Sequence, residues 1–149
     1  MKTKHQNNPE FEIPALMKKM EGSDLFEDIT LDRIQLFMTY LLYRIEEYKA
    51  GEEILFDGEK SDSFAIIIDG EVLKKCLAED EKLSRNADIG LIEASSTAKK
   101  RTCKYIADTD TVLLWTKTTH YVSSSSYVSS NTENILMRNL LRRFADKAL

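Results

Sequence analysis

Few side chains in this sequence are of a type that performs chemistry. There are two cysteines, Cys76 and Cys103, and two histidines, His5 and His120. A four-cysteine zinc or iron–sulfur site cannot be assembled from them, nor can a three-histidine metal cluster. One disulfide is arithmetically available but a disulfide framework is not, which fits a reducing compartment, and both cysteines read as buried, inert thiols. His120 has no Cys or Ser nucleophile at a spacing that would pair with it, and beside Tyr121 it reads as a packed or surface residue. Glu52 and Glu53 are neighbours in an expected strand, so they point to opposite faces and cannot share acid–base work. The chain is therefore not expected to be an enzyme, and no metal is expected.

Basic residues cluster twice, at Lys99-Lys100-Arg101 and at Arg138, Arg142 and Arg143, yet 21 basic against 25 acidic side chains leave a net charge of −4. Neither cluster makes a phosphate-tracking groove, so this stretch of chain is not expected to bind DNA itself. No apolar run approaches the length of a membrane span, and the start, Met1 to Asn8, lacks a signal peptide's apolar stretch. A soluble, cytoplasmic protein is expected, with no membrane partner.

The elements that must position these residues follow from periodicity. With 149 residues, 42% of them apolar, the chain is long enough for one ordinary core. The first eight residues are polar and expected to be loose, and Pro14 suits the first turn of a short helix that carries Leu16, Met17 and Met20 and stops at Gly22. A longer helix is predicted over 31–47, with Thr30 as N-cap, Ile29 stapled to Ile34, and Ile34, Met38, Leu41, Leu42 and Ile45 on one face. From Gly51 the segments shorten and turn β-like: Ile54 to Phe56, Ser63 to Ile68, Glu71 to Leu77, Thr102 to Ala107 and Val112 to Lys117. Asp57-Gly58 and Asp69-Gly70 read as hairpin turns, and Trp115 and the tyrosines as core or edge of the β region. Helical spacing returns over 131–149, capped by Asn131, with Leu136, Leu140, Leu141 and Phe144 on one face. That helix reaches Leu149 without a Gly or Pro stop signal, as it would if it continued in a longer parent protein. Short strands at this spacing predict a sandwich or jelly roll.

The order helix, strands, helix, with glycines at Gly51, Gly58, Gly70 and Gly90, carries a resemblance. Tyr48-Lys49-Ala50-Gly51-Glu52-Glu53-Ile54-Leu55-Phe56-Asp57-Gly58-Glu59 resembles the opening strands of a cyclic-nucleotide-binding domain. Asp62-Ser63-Phe64-Ala65-Ile66-Ile67-Ile68-Asp69-Gly70-Glu71-Val72 resembles its next hairpin, and Ala107 to Leu114 its closing strands. Within that superfamily the chain is most similar to the sensor domain of Crp/Fnr-type transcription regulators, and Asn139 to Lys147 resembles the lead into their long dimerisation helix. The resemblance spans 24–149 and implies a mainly β fold, a double-stranded β-helix (jelly roll) with helices at both ends. Residues 1–23 then form a polar leader with a short helix, 48–118 the β roll, and 131–149 the C-terminal helix.

The family's ligand site is a phosphate-binding cassette that resembles Ile89 to Cys103 here. Counted from Gly90, Arg101 and Thr102 fall in register with the arginine and small hydroxyl residue that hold the phosphate; with Gly90, Leu91 and Cys103 they make up the implied site. A cyclic phosphodiester calls for a guanidinium, a hydroxyl and backbone N–H groups at a helix start. The alternative, that Arg101 only ends a solvated Lys-Lys-Arg loop, stays open. Leu91 departs from the pattern: the family places a glutamate after this glycine to accept from the ribose 2′-hydroxyl. An unpaired hydroxyl costs on the order of 1–3 kcal/mol, or about one to two decades of affinity. The nearby Glu93 would need a changed backbone path, and Ser95, Ser96 and Thr97 read as a flexible loop.

The resemblance thus implies a ligand-sensing regulatory module binding cyclic AMP, cyclic GMP or another small anion. It would form a homodimer through its C-terminal helix and reach DNA only through a domain that this chain does not contain. Whether the chain is a fragment of such a regulator or a stand-alone sensor stays open. One rival is a ligand-free dimerisation or interaction scaffold of the same fold, for which Leu91 speaks. The other, a cupin-type enzyme on a similar roll, would need several histidines where only His120 lies near the β region.

Overall fold

Ser63 to Ile68 are buried without interruption. A strand alternates its side chains between two faces, so a strand buried at every position must be covered on both. The computed structural model, which describes residues 3–5, 18–56, 62–91 and 103–148, shows how. Strands β1 (Thr3–His5), β2 (Arg44–Tyr48), β4 (Ser63–Asp69), β7 (Asp88–Ile89) and β9 (Thr111–Lys117) form one antiparallel sheet, in the order β1-β2-β9-β4-β7. Strands β3 (Glu53–Ile54), β5 (Val72–Lys75), β6 (Asp80–Leu83) and β8 (Lys104–Ala107) form a second, in the order β3-β8-β5-β6. The helices are α1 (Leu31–Tyr40), α2 (Thr118–Ser125) and α3 (Ser130–Ala148), and a 3-10 turn spans Asp24–Phe26.

Two cores share the β4–β9 wall. Phe64, Ile66 and Ile68 of β4 and Leu114 of β9 join Ile34, Phe37, Met38, Tyr121, Leu136 and Leu140 on the helical side. The alternate residues Ala65, Ile67, Leu113 and Trp115 face the second sheet, among Tyr48, Ile54, Val72, Ile89 and Tyr105. The helical side is tied down by polar groups as well. The Tyr121 hydroxyl lies 3.1 Å from the carbonyls of both Leu25 and Leu136. Asn139 Nδ2 donates to the carbonyls of Leu25 (3.1 Å) and Glu27 (2.9 Å), pinning the 3-10 turn Asp24–Phe26 to α3.

The structure departs from the sequence reading in several places. The helix predicted over 31–47 ends at Tyr40, and Arg44–Tyr48 is strand β2, because β9 offers it a five-residue antiparallel register from Arg44↔Trp115 to Tyr48↔Thr111. Ile45 still reaches the helical core, but Leu42, freed from the helix, is 62% exposed. The polar leader is not wholly loose, since Thr3–His5 pairs with β2. Thr30 does not cap α1 with its side chain; its hydroxyl donates to Asp32 Oδ1 at 2.6 Å, which holds the Asp32 carboxyl below its usual pKa. At α3 the capping residue is Ser129 rather than Asn131, with its Oγ accepting from the Thr132 N–H at 3.3 Å. Strands β6 and β7 have no counterpart in the sequence reading, the first because Asp80-Glu81-Lys82-Leu83 is an exposed edge with a single apolar residue. Asp57-Gly58 and Pro14 lie outside the described residues.

Asp69-Gly70 is not a hairpin turn: it carries the chain from β4 in one sheet to β5 in the other. Gly70 has φ +95°, and a Cβ there would sit 2.5 Å from the Asp110 carbonyl oxygen. Neither the backbone angle nor the space admits a side chain. Gly70→Ala is therefore expected to lower the unfolding free energy by roughly 1–3 kcal/mol, read as an earlier denaturant midpoint at unchanged slope.

Candidate functional site

Strand β7 leads through Ile89 into Gly90, whose φ of +78° lies in the left-handed region. That angle turns the chain out of the sheet, and Leu91 itself has helical backbone. Leu91 is 1% exposed and packs in the helical core, so its side chain fills the interior of the protein rather than lining an open cleft. Arg101 and Thr102 lie outside the described residues. Cys103 corrects the sequence reading: it is not a free, inert thiol but is joined to Cys76 by a disulfide across a separation of 27 residues. The ladder explains the pairing, because Lys75 opposes Lys104 and the next register position sets Cys76 against Cys103.

The space between the sheets holds a polar group that the sequence reading missed. Glu46 is fully buried. Its carboxylate accepts from Arg44 Nε at 2.8 Å and from the Tyr48 hydroxyl, which in turn accepts from Trp115 Nε1 at 3.1 Å. The Arg44 guanidinium also lies 5.2 Å from the centroid of the Trp115 ring. A buried carboxylate is tolerable only when paired and hydrogen-bonded, and the guanidinium supplies the charge. Burial, and then the bond to Glu46, push the Tyr48 phenol well above its usual range, so it acts as a neutral donor. Arg44, Glu46 and Tyr48 alternate in sequence, a period of two that a helix assignment hides.

Around this network the interior is occupied by rings. Phe56 packs edge-on against Trp115, with centroids 4.9 Å apart, and lies 5.5 Å from Tyr105. On the outer side, Arg44 joins Leu42, Tyr43, Trp115, Thr116, Lys117 and His120 around a cleft of about 260 Å³. His120 is half-buried there. Among the described residues no three His, Cys, Asp or Glu side chains come together to hold a metal ion, and no helix is long and apolar enough to cross a membrane.

The last helix is wired to the strand before Gly90. Arg143 Nε donates to Asp88 Oδ2 at 2.7 Å, with the two side chains only 13% and 9% exposed. Arg138 pairs with Asp28 at 2.9 Å and Arg142 with Glu27 at 3.2 Å, both at the surface. The three arginines that the sequence reading grouped as a basic cluster are thus each paired with a carboxylate of their own chain.

Neither family models nor curated proteins give a match to this sequence. Solved structures do. The chain is similar to the catabolite activator protein of Thermus thermophilus, at 19% identity and a TM-score of 0.64, over 85% of this chain and 58% of that one. It is similar to a cyclic nucleotide-binding domain from Methylobacillus flagellatus KT at 16% identity and a TM-score of 0.67, over 98% of this chain and 83% of that one. It also matches the regulatory subunit of a cAMP-independent protein kinase A from Trypanosoma brucei at 14% identity and a TM-score of 0.65, over 88% of this chain and 45% of that one. The chain thus spans little more than half of the Thermus protein and under half of the trypanosome subunit. At these identities it is the fold that is shared, and the jelly roll with flanking helices expected from the sequence is the fold observed.

Tyr121 is also held well above the usual tyrosine range, by burial alone. A phenol whose pKa is raised in the folded state contributes stability below its unfolded pKa of about 10, and that contribution is lost as pH climbs past it. Alkaline titration followed by tyrosinate absorbance is accordingly expected to leave Tyr48 and Tyr121 silent until the protein unfolds. Tyr48→Phe and Tyr121→Phe should each remove one late-titrating group.

Proposed function

Taking the fold of the cyclic-nucleotide-binding domains as the premise, we propose that this protein is a ligand-sensing regulatory module for a small anion, a cyclic nucleotide being the first to test. The observation that carries this reading is the turn at Gly90: a left-handed residue at the end of a jelly-roll strand, followed by right-handed helical backbone at Leu91. Successive residues of left-handed and right-handed backbone form a concave turn of the kind that can receive an anion. In this reading the site comprises Gly90, Leu91, Arg101, Thr102 and Cys103, with the Arg101 guanidinium neutralising the phosphate and the Thr102 hydroxyl donating to it. Leu91 supplies no acceptor for a ribose hydroxyl, which favours an effector that does not need one.

The output runs through α3. An anion at the Gly90 turn acts two residues from Asp88, whose carboxylate holds Arg143. Strain or relief at that strand end therefore shifts the preferred position of the helix, and a homodimer built on this helix would transmit the shift to a partner subunit. Regulation of transcription would require a DNA-reading domain in addition to this fold. None of these steps is catalytic.

A second reading, a ligand-free interaction scaffold, is favoured by the aromatic filling of the interior and by the core position of Leu91. Among the relatives by fold is a kinase regulatory subunit described as cAMP-independent. Calorimetric titration with cyclic AMP and cyclic GMP separates the two readings. The sensor reading expects heat with at least one nucleotide, and a loss of about tenfold or more in affinity for Arg101→Ala, the worth of one charge-assisted hydrogen bond. Titrations without heat would leave the scaffold standing, and binding that ignores the substitution would overturn the role given to Arg101.

A further inference from the structure

The Cys76–Cys103 bridge lies at one end of the second sheet, where β5 and β8 finish together. The loop from Cys76 to Glu79 turns the chain into β6, and Leu77 in it is fully exposed. Both cysteines are half-buried, so neither is sealed in the core. Each is flanked by a lysine on its own strand, Lys75 and Lys104, and those two oppose each other in the ladder. Asp80 of β6 stands across from Lys75 on its other side, leaving two ammonium groups and one carboxylate in that row. Like charges set directly opposite weaken a strand pair. Neighbours on a strand alternate faces, so the two lysines stand on the side of the sheet away from the sulfurs and act on the ladder through their mutual repulsion. The bridge thus closes a strand end that its own neighbours push open.

We propose that Cys76 and Cys103 form a reversible redox-modification site whose exchange partner is a low-molecular-weight thiol of the glutathione class, and that opening the bridge releases the end of the β5–β8 ladder. This role depends on the described strands alone, whether or not the Gly90 turn holds a ligand. In the closing direction, one cysteine thiolate attacks glutathione disulfide, forming a mixed disulfide and expelling one glutathione thiolate. The second cysteine thiolate then attacks the protein sulfur of that mixed disulfide and expels the other. Two electrons pass from the cysteine pair to glutathione, and the two thiol protons end on the two glutathione molecules.

The test equilibrates the intact protein in buffers spanning reduced to oxidised glutathione, traps thiols by alkylation and counts them by mass. The pair is expected to pass from bridged to open within that span and to close again on return. Amide hydrogen exchange over 72–76 and 103–107 is expected to quicken in the open form, while far-UV circular dichroism stays folded. Lys75→Gln together with Lys104→Gln should remove the repulsion across the strand end and make the bridge harder to open, shifting its equilibrium with glutathione by about two- to fivefold. Should the Lys variant misfold, the wild-type titration and exchange data decide alone. A bridge that never opens across the span, thiols that never close, or identical exchange in the two forms would each overturn the proposal.

Discussion

Everything in this structure hangs on one strand pair that is apolar on both sides. Strands β4 and β9 run in register from Ser63↔Lys117 to Ile67↔Leu113. The isoleucine run of β4 leaves no face that water could wet. Burying one such side chain is worth about 1.5–3 kcal/mol, so leaving either face uncovered would forfeit several of them. One face therefore recruits the helices and the other the second sheet. That demand explains why Asp69-Gly70 crosses between sheets rather than closing a hairpin, and why a residue without a Cβ stands there.

Charge enters this interior only under restriction. The Glu46 carboxylate is wholly withdrawn from water and that of Asp88 nearly so, and each is matched by an arginine. The two pairs differ in what they join. Arg44 and Glu46 share one strand, so their pairing fixes the polarity of the inter-sheet space without coupling separate elements. Arg143 and Asp88 join α3 to β7 across 55 positions of sequence. Losing one member of a buried pair strands the other charge, which makes this contact a firm mechanical link rather than a surface ornament.

Much of the architecture was legible because it is written in short-range patterns. The alternation in Ser63–Ile68 and Val112–Lys117 reports two buried faces directly, and glycines at Gly70 and Gly90 mark backbone angles that other residues resist. What failed needed long-range knowledge. Leu41 to Tyr48 satisfies helical spacing on paper, and only the unpaired edge of β9 decides for a strand. Thr3–His5 becomes ordered only because β2 exists for it to pair with. Cys76 and Cys103 looked like separate thiols since nothing local shows that β5 and β8 are neighbours. Of the anticipated site, Gly90 bends the chain in the left-handed region and Leu91 belongs to the core, a burial that local spacing does not reveal; the alternation of Arg44, Glu46 and Tyr48 shows only once a strand replaces the helix there.

The two ends of the stretch between Leu91 and Cys103 are anchored by forces of different kinds. Its entry follows a strand held to α3 by an ion pair, which weakens with ionic strength only as far as its burial allows. Its exit is fastened to β5 by a covalent bond that responds to electrons and not to salt. An anion bound between those ends would therefore be felt by α3 through Asp88, while the thiol balance of the surroundings would be felt at β8. The two contacts, Arg143 with Asp88 and Cys76 with Cys103, share no residue, so perturbing one pair leaves the other as an internal control.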